Sequence, residues 1–309
     1  MARLIRTHGK RIEHRISIAG APPPGQVYFG SSRRDALKEL WFGLSSGEIG
    51  LLTGEVGLGK TLLCRELLRR LPTAVHSVYT VTPKQDELLI DNVLQSVSMI
   101  RQLHRSVVTV AETSEREAID TFAHWAIIVD EAQRLSVATI RRLAEWRHQE
   151  AMHGRSVGLL LVGQPSVEET LSATELRSFA LQITARCQLP AFPRSETEAY
   201  INHWLQQQWP GARVVFSETA NRVVHYASGG IPREINKVCL RAIDSLRLQQ
   251  KSSVNALMAV RAAWRASTER DDDSNDDDTY PGMIVRRDDD EDAYPKTVRI
   301  SDLKFSQLN

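Results

Sequence analysis

The sequence predicts an α/β fold, a parallel sheet with helices on both faces, followed by a small all-helical second domain. Three observations predict it. Short apolar runs alternate with helical patterns over the first two thirds of the chain. A glycine-rich loop stands between the first of these runs and the helix after it. Beyond Pro193 the apolar runs stop and only helical spacing continues. Strands buried on both faces read as continuous apolar runs, and parallel neighbours need a helical crossover between them.

Residues 1–26 read as an arm, with five Arg or Lys in the first 15 positions and then "APPPG", which suits neither helix nor central strand. "RRDALKELWFGLS" (33–45) has helical apolar spacing at Ala36, Leu37, Leu40 and Trp41. "EIGLLTG" reads as a strand and "KTLLCRELLRRL" as a helix ended by Pro72. "HSVYTV" is a strand, "QDELLIDNVLQSVS" a helix, "AIIVDE" a buried strand and "VATIRRLAEWRHQEAM" a helix. "VGLLLVG" is a further buried strand, and "ALQITARCQLPAF" holds a fifth. These make an α/β domain at 27–194. A helical lid at 195–267 follows, in which "SETEAY" and "SETANR" each read as a serine-capped helix start. Residues 268–309 are expected to be a disordered acidic tail, because "RDDDSNDDD" and "RRDDDEDAYP" are like-charge blocks that bury no core.

The chain's net charge of +1 hides an asymmetry: residues 269–309 hold 13 acidic and 6 basic residues, and residues 1–268 hold 33 basic and 25 acidic. A body of net charge +8 is compatible with nucleic acid or anionic lipid as a partner, or with an ordinary solvated surface. No apolar run approaches the ~20 residues of a membrane-spanning helix, so no transmembrane segment is expected. Cys64, Cys187 and Cys239 stand far apart and form no C-x-x-C pair, which argues against disulfides and zinc and suits a cytoplasmic location.

Four stretches carry chemistry. The loop Gly54, Glu55, Val56, Gly57, Leu58, Gly59, Lys60, Thr61, Leu62 fits the G-x-x-x-x-G-K-T phosphate-loop pattern, with a strand before it and a helix after it. Its glycines let backbone N–H groups converge on a polyphosphate such as that of ATP, and the helix N-terminus adds a favourable dipole. Lys60 reaches the β- and γ-phosphates, and Thr61 supplies a hydroxyl to Mg2+. "AIIVDEAQ" ends a strand with two carboxylates, where ligands of parallel sheets bind. Asp130 is the reading for Mg2+, Glu131 for activating the attacking water. Gln164 follows "GLLLVG" and is placed to meet the γ-phosphate or that water; the alternative is a plain turn before Pro165. Arg233, just inside a helix opened by Pro232, is read as a clamp on the γ-phosphate from the lid, or else as a surface arginine beside a turn.

In order along the chain, "YFGSSRRDALKELWFGL", "LLTGEVGLGKTLLCRELLRRLP", "IIVDEAQRLS", "LLLVGQP", "ELRSFALQITARCQLPAF" and "SGGIPREINKVCLRA" resemble an AAA+ ATPase. They are similar to the ATPase domain of the ExeA/GspA and MshM type, found in general secretion and MSHA pilus biogenesis, over about 28–267. The resemblance implies a P-loop AAA+ sheet, a helical lid, ATP-driven assembly into a ring or filament, and Tyr28 and Phe29 near the adenine. Where that family often has arginine before the fifth strand, this chain has Gln182, so the arginine finger is assigned to Arg177 or Arg186, with Arg177 nearer a helix end.

The resemblance implies an ATPase that drives or regulates a cell-envelope secretion, pilus or polysaccharide-export system. It would act in the cytoplasm and reach the inner membrane through a protein partner, with "TVRISDLKFSQLN" (297–309) as a candidate docking segment. The other reading is a DNA-binding AAA+ regulator of transposition of the TniB/TnsC kind, favoured by the basic body but lacking any helix-turn-helix, zinc-finger or aromatic-basic signature.

Overall fold

The computed structural model describes residues 27–72, 74–107, 124–209, 214–248 and 252–268. The arm 1–26, the acidic segment 269–309 and the docking segment 297–309 lie outside the described residues. The chain divides into two compact units, one of 31–190 and one formed by 27–30 together with residues from 191 onward, among the described residues.

The first unit contains helices α1 (Ser31–Ser46), α2 (Lys60–Arg70), α3 (Leu88–Val107), α4 (Val137–Met152), α5 (Val167–Leu171) and α6 (Arg177–Ala180). Its strands are β1 (Ile49–Thr53), β2 (Val75–Val81), β3 (His124–Asp130), β4 (Ser156–Gly163) and β5 (Ile183–Gln188). The strands form one sheet in the order β2-β3-β4-β1-β5, and every pairing is parallel. The three central strands are buried almost throughout, whereas edge strand β5 alternates buried and exposed residues, as expected where only one face is covered. Ile127, Leu159, Leu161, Ile140 and Leu143 are central to the core that joins sheet and helices.

This strand order sets the site. Strand β4 lies between β1 and β3, with Thr53 opposite Gly163 and Val129 opposite Leu161. The C-terminal ends of three adjacent strands therefore carry the phosphate loop, Gln164 and Asp130 side by side. Helix α3 opens later than its sequence pattern suggests: Gln85–Glu87 form a turn, with Leu88 N–H donating to Gln85 and Leu89 N–H to Asp86. The Asp86 carboxylate accepts instead from Ser136 N–H at 2.7 Å, and the Ser136 hydroxyl in turn caps α4 at Thr139.

The second unit contains α7 (Arg194–Gln208), α8 (Glu218–Ser228), α9 (Pro232–Leu248) and α10 (Ala256–Thr268) around a core that includes Ile201, Val224, Ile235, Cys239 and Ala262. Among the described residues it is helical but for one feature: β6 (Val215–Phe216) pairs in parallel with β7 (Ser253–Val254). Each pair of residues precedes a helix cap. Ser217 accepts from Ala220 N–H, and Asn255 from Met258 N–H. A cap residue takes extended backbone angles, so the residues leading into the two caps are extended together and bury Phe216 and Val254. Strands of two residues leave no periodicity to read. The first lid helix also differs at its start: Pro193, not Ser195, holds the cap position, and its carbonyl accepts from Thr197 N–H at 2.9 Å. Among the described residues no helix is long and apolar enough to cross a membrane.

Candidate nucleotide site

The loop after β1 runs to Gly59, which sits at the N-cap of α2 with φ 86° and ψ 27°. No atom would obstruct a Cβ there, so it is this left-handed conformation that calls for glycine. Gly57 is left-handed as well, with φ 83°. No side chain caps α2, so its first N–H groups are offered to an anion instead. The Lys60 ammonium, almost fully buried, donates to the loop carbonyls of Gly54 at 2.8 Å and Glu55 at 3.1 Å. Its charge is thereby held inside the loop curve. Val56 lies exposed on the turn and Leu58 buried beneath it. The Leu58 carbonyl accepts from the guanidinium of Arg33 at 3.1 Å, and Arg33 is itself buried. Leu62 follows in the first turn of the helix.

Thr61 donates to Asp130 Oδ2 at 2.8 Å. A hydroxyl and a carboxylate at this spacing are the hard oxygen donors that suit Mg2+. Asp130 is buried at the end of β3, where Oδ2 also accepts from Tyr79 at 2.6 Å and Oδ1 accepts from Glu131 N–H at 2.9 Å. Burial, then the negative charge of Asp130, pushes the Tyr79 hydroxyl well above its usual pKa, so it remains a donor.

Strand β3 ends at Asp130, and Glu131 turns out of it with φ 57° and ψ 38°. Among the described residues it is the only non-glycine with positive φ. That conformation costs about 1–2 kcal/mol for an L-residue and persists only where its surroundings hold it. Here the Asp130 carboxylate, the one-turn helix Ala132–Arg134 and the Gln133 side chain do so; Gln133 Nε2 donates to Glu131 Oε2 at 2.6 Å. The Gln133 carbonyl oxygen accepts from Gln164 N–H at 3.1 Å. Lys60, Thr61, Asp130, Glu131 and Gln164 thus stand around the ends of β1, β3 and β4.

The first unit and its neighbours in fold are recognisable. Residues 44–171 match the family model described as "AAA domain". The chain carries an AAA domain. Over 228 residues, 72% of its length, it is 30% identical to general secretion pathway protein A of Aeromonas hydrophila. The match spans 42% of that protein, less than half its length. Among solved structures, the Holliday junction branch migration motor RuvB of Thermotoga maritima superimposes with a TM-score of 0.50 at 19% identity, covering 76% of this chain and 69% of that one. ORC2 of Aeropyrum pernix, in its ADP form, gives 0.55 at 16% identity over 79% of this chain and 70% of that one. At such identities these two show the shared P-loop fold. The chain is a nucleotide-binding protein of the AAA ATPase family, related to general secretion pathway protein A.

The remaining candidate residues of this AAA protein are placed as follows. Arg177 is exposed at the start of α6 and makes no side-chain hydrogen bond or ion pair among the described residues. Arg186 is exposed on edge strand β5 and donates to the Ala180 carbonyl at 3.0 Å. Gln182 bonds within the first unit, to Ser178 at 3.2 Å and to Arg147 at 3.4 Å. Tyr28, Phe29 and Arg233 belong to the second unit. Tyr28 packs with its ring centroid 5.5 Å from Phe192 and 5.7 Å from Tyr200 and His203. Phe29 is half-buried. Arg233 stands in the first turn of α9, half-buried, just after Pro232. Arg33, Tyr79 and Gln133 were not legible as site residues. Only Gln133 left a trace, its place in "DEAQ" two residues past Glu131.

Proposed function

We propose that the chain binds ATP with Mg2+, hydrolyses it, and forms nucleotide-dependent homo-oligomers that drive or regulate assembly of a cell-envelope secretion, pilus or polysaccharide-export system. The observation that carries the ATPase reading is the junction of Lys60 and Thr61, after β1, with Asp130 and Glu131, at the end of β3, across the tip of the intervening β4. The relation to general secretion pathway protein A over 72% of the chain supports the envelope role.

In this reading the α2 N-terminus and Lys60 hold the phosphates, and the Thr61 hydroxyl and Asp130 hold Mg2+, Asp130 directly or through water. Bound Mg2+ neutralises charge on the phosphate oxygens. Glu131 takes a proton from the attacking water, and Gln164 orients that water or meets the terminal phosphate. Arg233 senses the phosphate from the second unit, and Arg177 or Arg186 serves a neighbouring subunit's site. The protein works in the cytoplasm, and residues 297–309 recruit it to a partner at the inner membrane.

A DNA-binding regulator is the second reading, favoured by the net charge of +8 on residues 1–268. Steady-state ATP hydrolysis over a protein concentration series, with and without double-stranded DNA, tests both. Turnover per subunit is expected to rise with concentration and to collapse in Glu131→Gln. Survival of hydrolysis in that variant would remove the base assignment. Stimulation by DNA that fades with added salt would move the second reading ahead.

A further inference from the structure

We infer that Gln133 is a positioning residue for hydrolysis: its side-chain amide bridges the Glu131 carboxylate to the backbone at the tip of β4, so that base and sensor strand hold one geometry. This rests on the reading of Glu131 as the group that activates water.

Both ends of the amide are engaged. Nε2 donates to Glu131 Oε2 at 2.6 Å, and Oε1 accepts from Gln164 N–H at 3.1 Å. Only one orientation of the amide serves, since a carboxylate only accepts and an N–H only donates; a flipped amide would lose both bonds. Residues two apart do not face each other on a regular helix. Here the left-handed turn at Glu131, φ 57°, starts a one-turn helix at Ala132, and the Gln133 side chain reaches back to the base. The bond engages one carboxylate oxygen and leaves the other to take a proton.

Gly163 records the same arrangement from the β4 side. A Cβ built there would lie 2.8 Å from Gln133 Oε1 and 3.1 Å from Gln133 N. The amide therefore lies where any side chain at 163 would stand. Gln164, next in sequence, lends the amide its N–H while its own side chain is the proposed phosphate sensor. A displacement of the β4 tip is thus passed through one rigid amide plane to the carboxylate. A base misplaced by about 1 Å loses on the order of a hundredfold in rate.

The test uses the full chain and four variants: Gln133→Ala, Gln133→Met, Gly163→Ala and the double variant Gln133→Ala/Gly163→Ala. Three quantities are measured: kcat for ATP, equilibrium affinity for a fluorescent ATP analogue with Mg2+, and hydrogen exchange at the Gln164 amide without nucleotide. Gln133→Met keeps the side-chain length and removes both polar ends. Both Gln133 variants are expected to lower kcat by about 10- to 100-fold while affinity stays within about twofold. The Gln164 amide loses protection in both. Gly163→Ala displaces the amide and gives a similar loss of kcat. The double variant should lose less than the product of the two single losses, because truncating Gln133 removes the 2.8 Å contact with Oε1, while the 3.1 Å approach to the Gln133 backbone N remains. Wild-type turnover in Gln133→Met would overturn the proposal, as would a fall in affinity matching the fall in kcat. Additive losses in the double variant would also sink it. Glu131→Gln separates the two levels: if it still hydrolyses ATP, the base assignment fails, whereas an inactive Glu131→Gln beside a fully active Gln133→Met removes the bridge alone.

Discussion

Thr61 Oγ1 lies 2.8 Å from Asp130 Oδ2 and donates to it, joining two residues 69 positions apart in the chain. The same oxygen accepts the Tyr79 hydroxyl at 2.6 Å. Tyr79→Phe takes one donor from a buried acid and is expected to cost about 1–3 kcal/mol of stability. Urea unfolding without nucleotide measures it; an unchanged midpoint and slope would mean that the hydroxyl contributes nothing net.

Lys60 and Thr61 should separate in binding. Lys60→Ala removes the ammonium that the loop carbonyls of Gly54 and Glu55 hold, and is expected to weaken ATP by at least about tenfold, or ~1.4 kcal/mol. Thr61→Ala should leave ADP affinity without Mg2+ nearly unchanged while abolishing the gain from added Mg2+. Calorimetric titration with and without the metal distinguishes the two. Equal losses in both variants without Mg2+ would contradict the separate roles.

At the opposite ends of the strands, Arg147 donates to the Val157 carbonyl at 2.9 Å and to the Gly47 carbonyl at 2.7 Å, tying α4 to the starts of β4 and β1. Burial lowers its pKa. Lysine keeps the charge but not the planar fork. Arg147→Lys is expected to cost about 1–3 kcal/mol by chemical unfolding, and Arg147→Ala no less.

Asp86 gives the acid side of stability a residue to test. Burial raises its pKa, but the N–H and hydroxyl of Ser136 outweigh burial and hold it below the usual value. Its contribution is complete above the unfolded pKa, where both states are ionised, and is lost as pH falls through the depressed folded value. Asp86→Asn should lower Tm near neutrality and converge with wild type in acid. A constant difference at every pH would exclude this linkage.

The three thiols report on the two units separately. Cys64 and Cys187 lie buried in the first unit and Cys239 in the second. Burial raises all three, with Glu39 adding to the rise of Cys187 to about 12. Modification therefore requires opening. ATP and Mg2+ at about 100 times Kd should slow labelling of Cys64 and Cys187 by up to ~100-fold. Cys239 should slow less if the second unit opens independently, and equally if both open together.

The phosphate loop, β1, β3, β4 and α4 were legible because their signals are local. Loop glycines, unbroken apolar runs and helical spacing act within a few residues. The place of Asp130 and Glu131 at the end of a strand was legible because two acids follow an apolar run. The serine cap was correct at Ser217 and not at Ser195, where Pro193 already supplies the extended residue and the first helical carbonyl. Tyr79 carried no local sign. It meets Asp130 because the register sets Tyr79 opposite Ile128 and Val81 opposite Asp130.

Chain-local chemistry was therefore enough to place a phosphate-loop sequence and a pair of acids at strand ends of an α/β scaffold. The tertiary fold decided which side chains hold them in place. Inserting β4 between β1 and β3 brings Gly163 and Gln164 to Gln133, and pairing β2 with β3 brings Tyr79 to Asp130. These contacts follow from strand order and register. The packing of the whole core selects both, and no window of the sequence contains them.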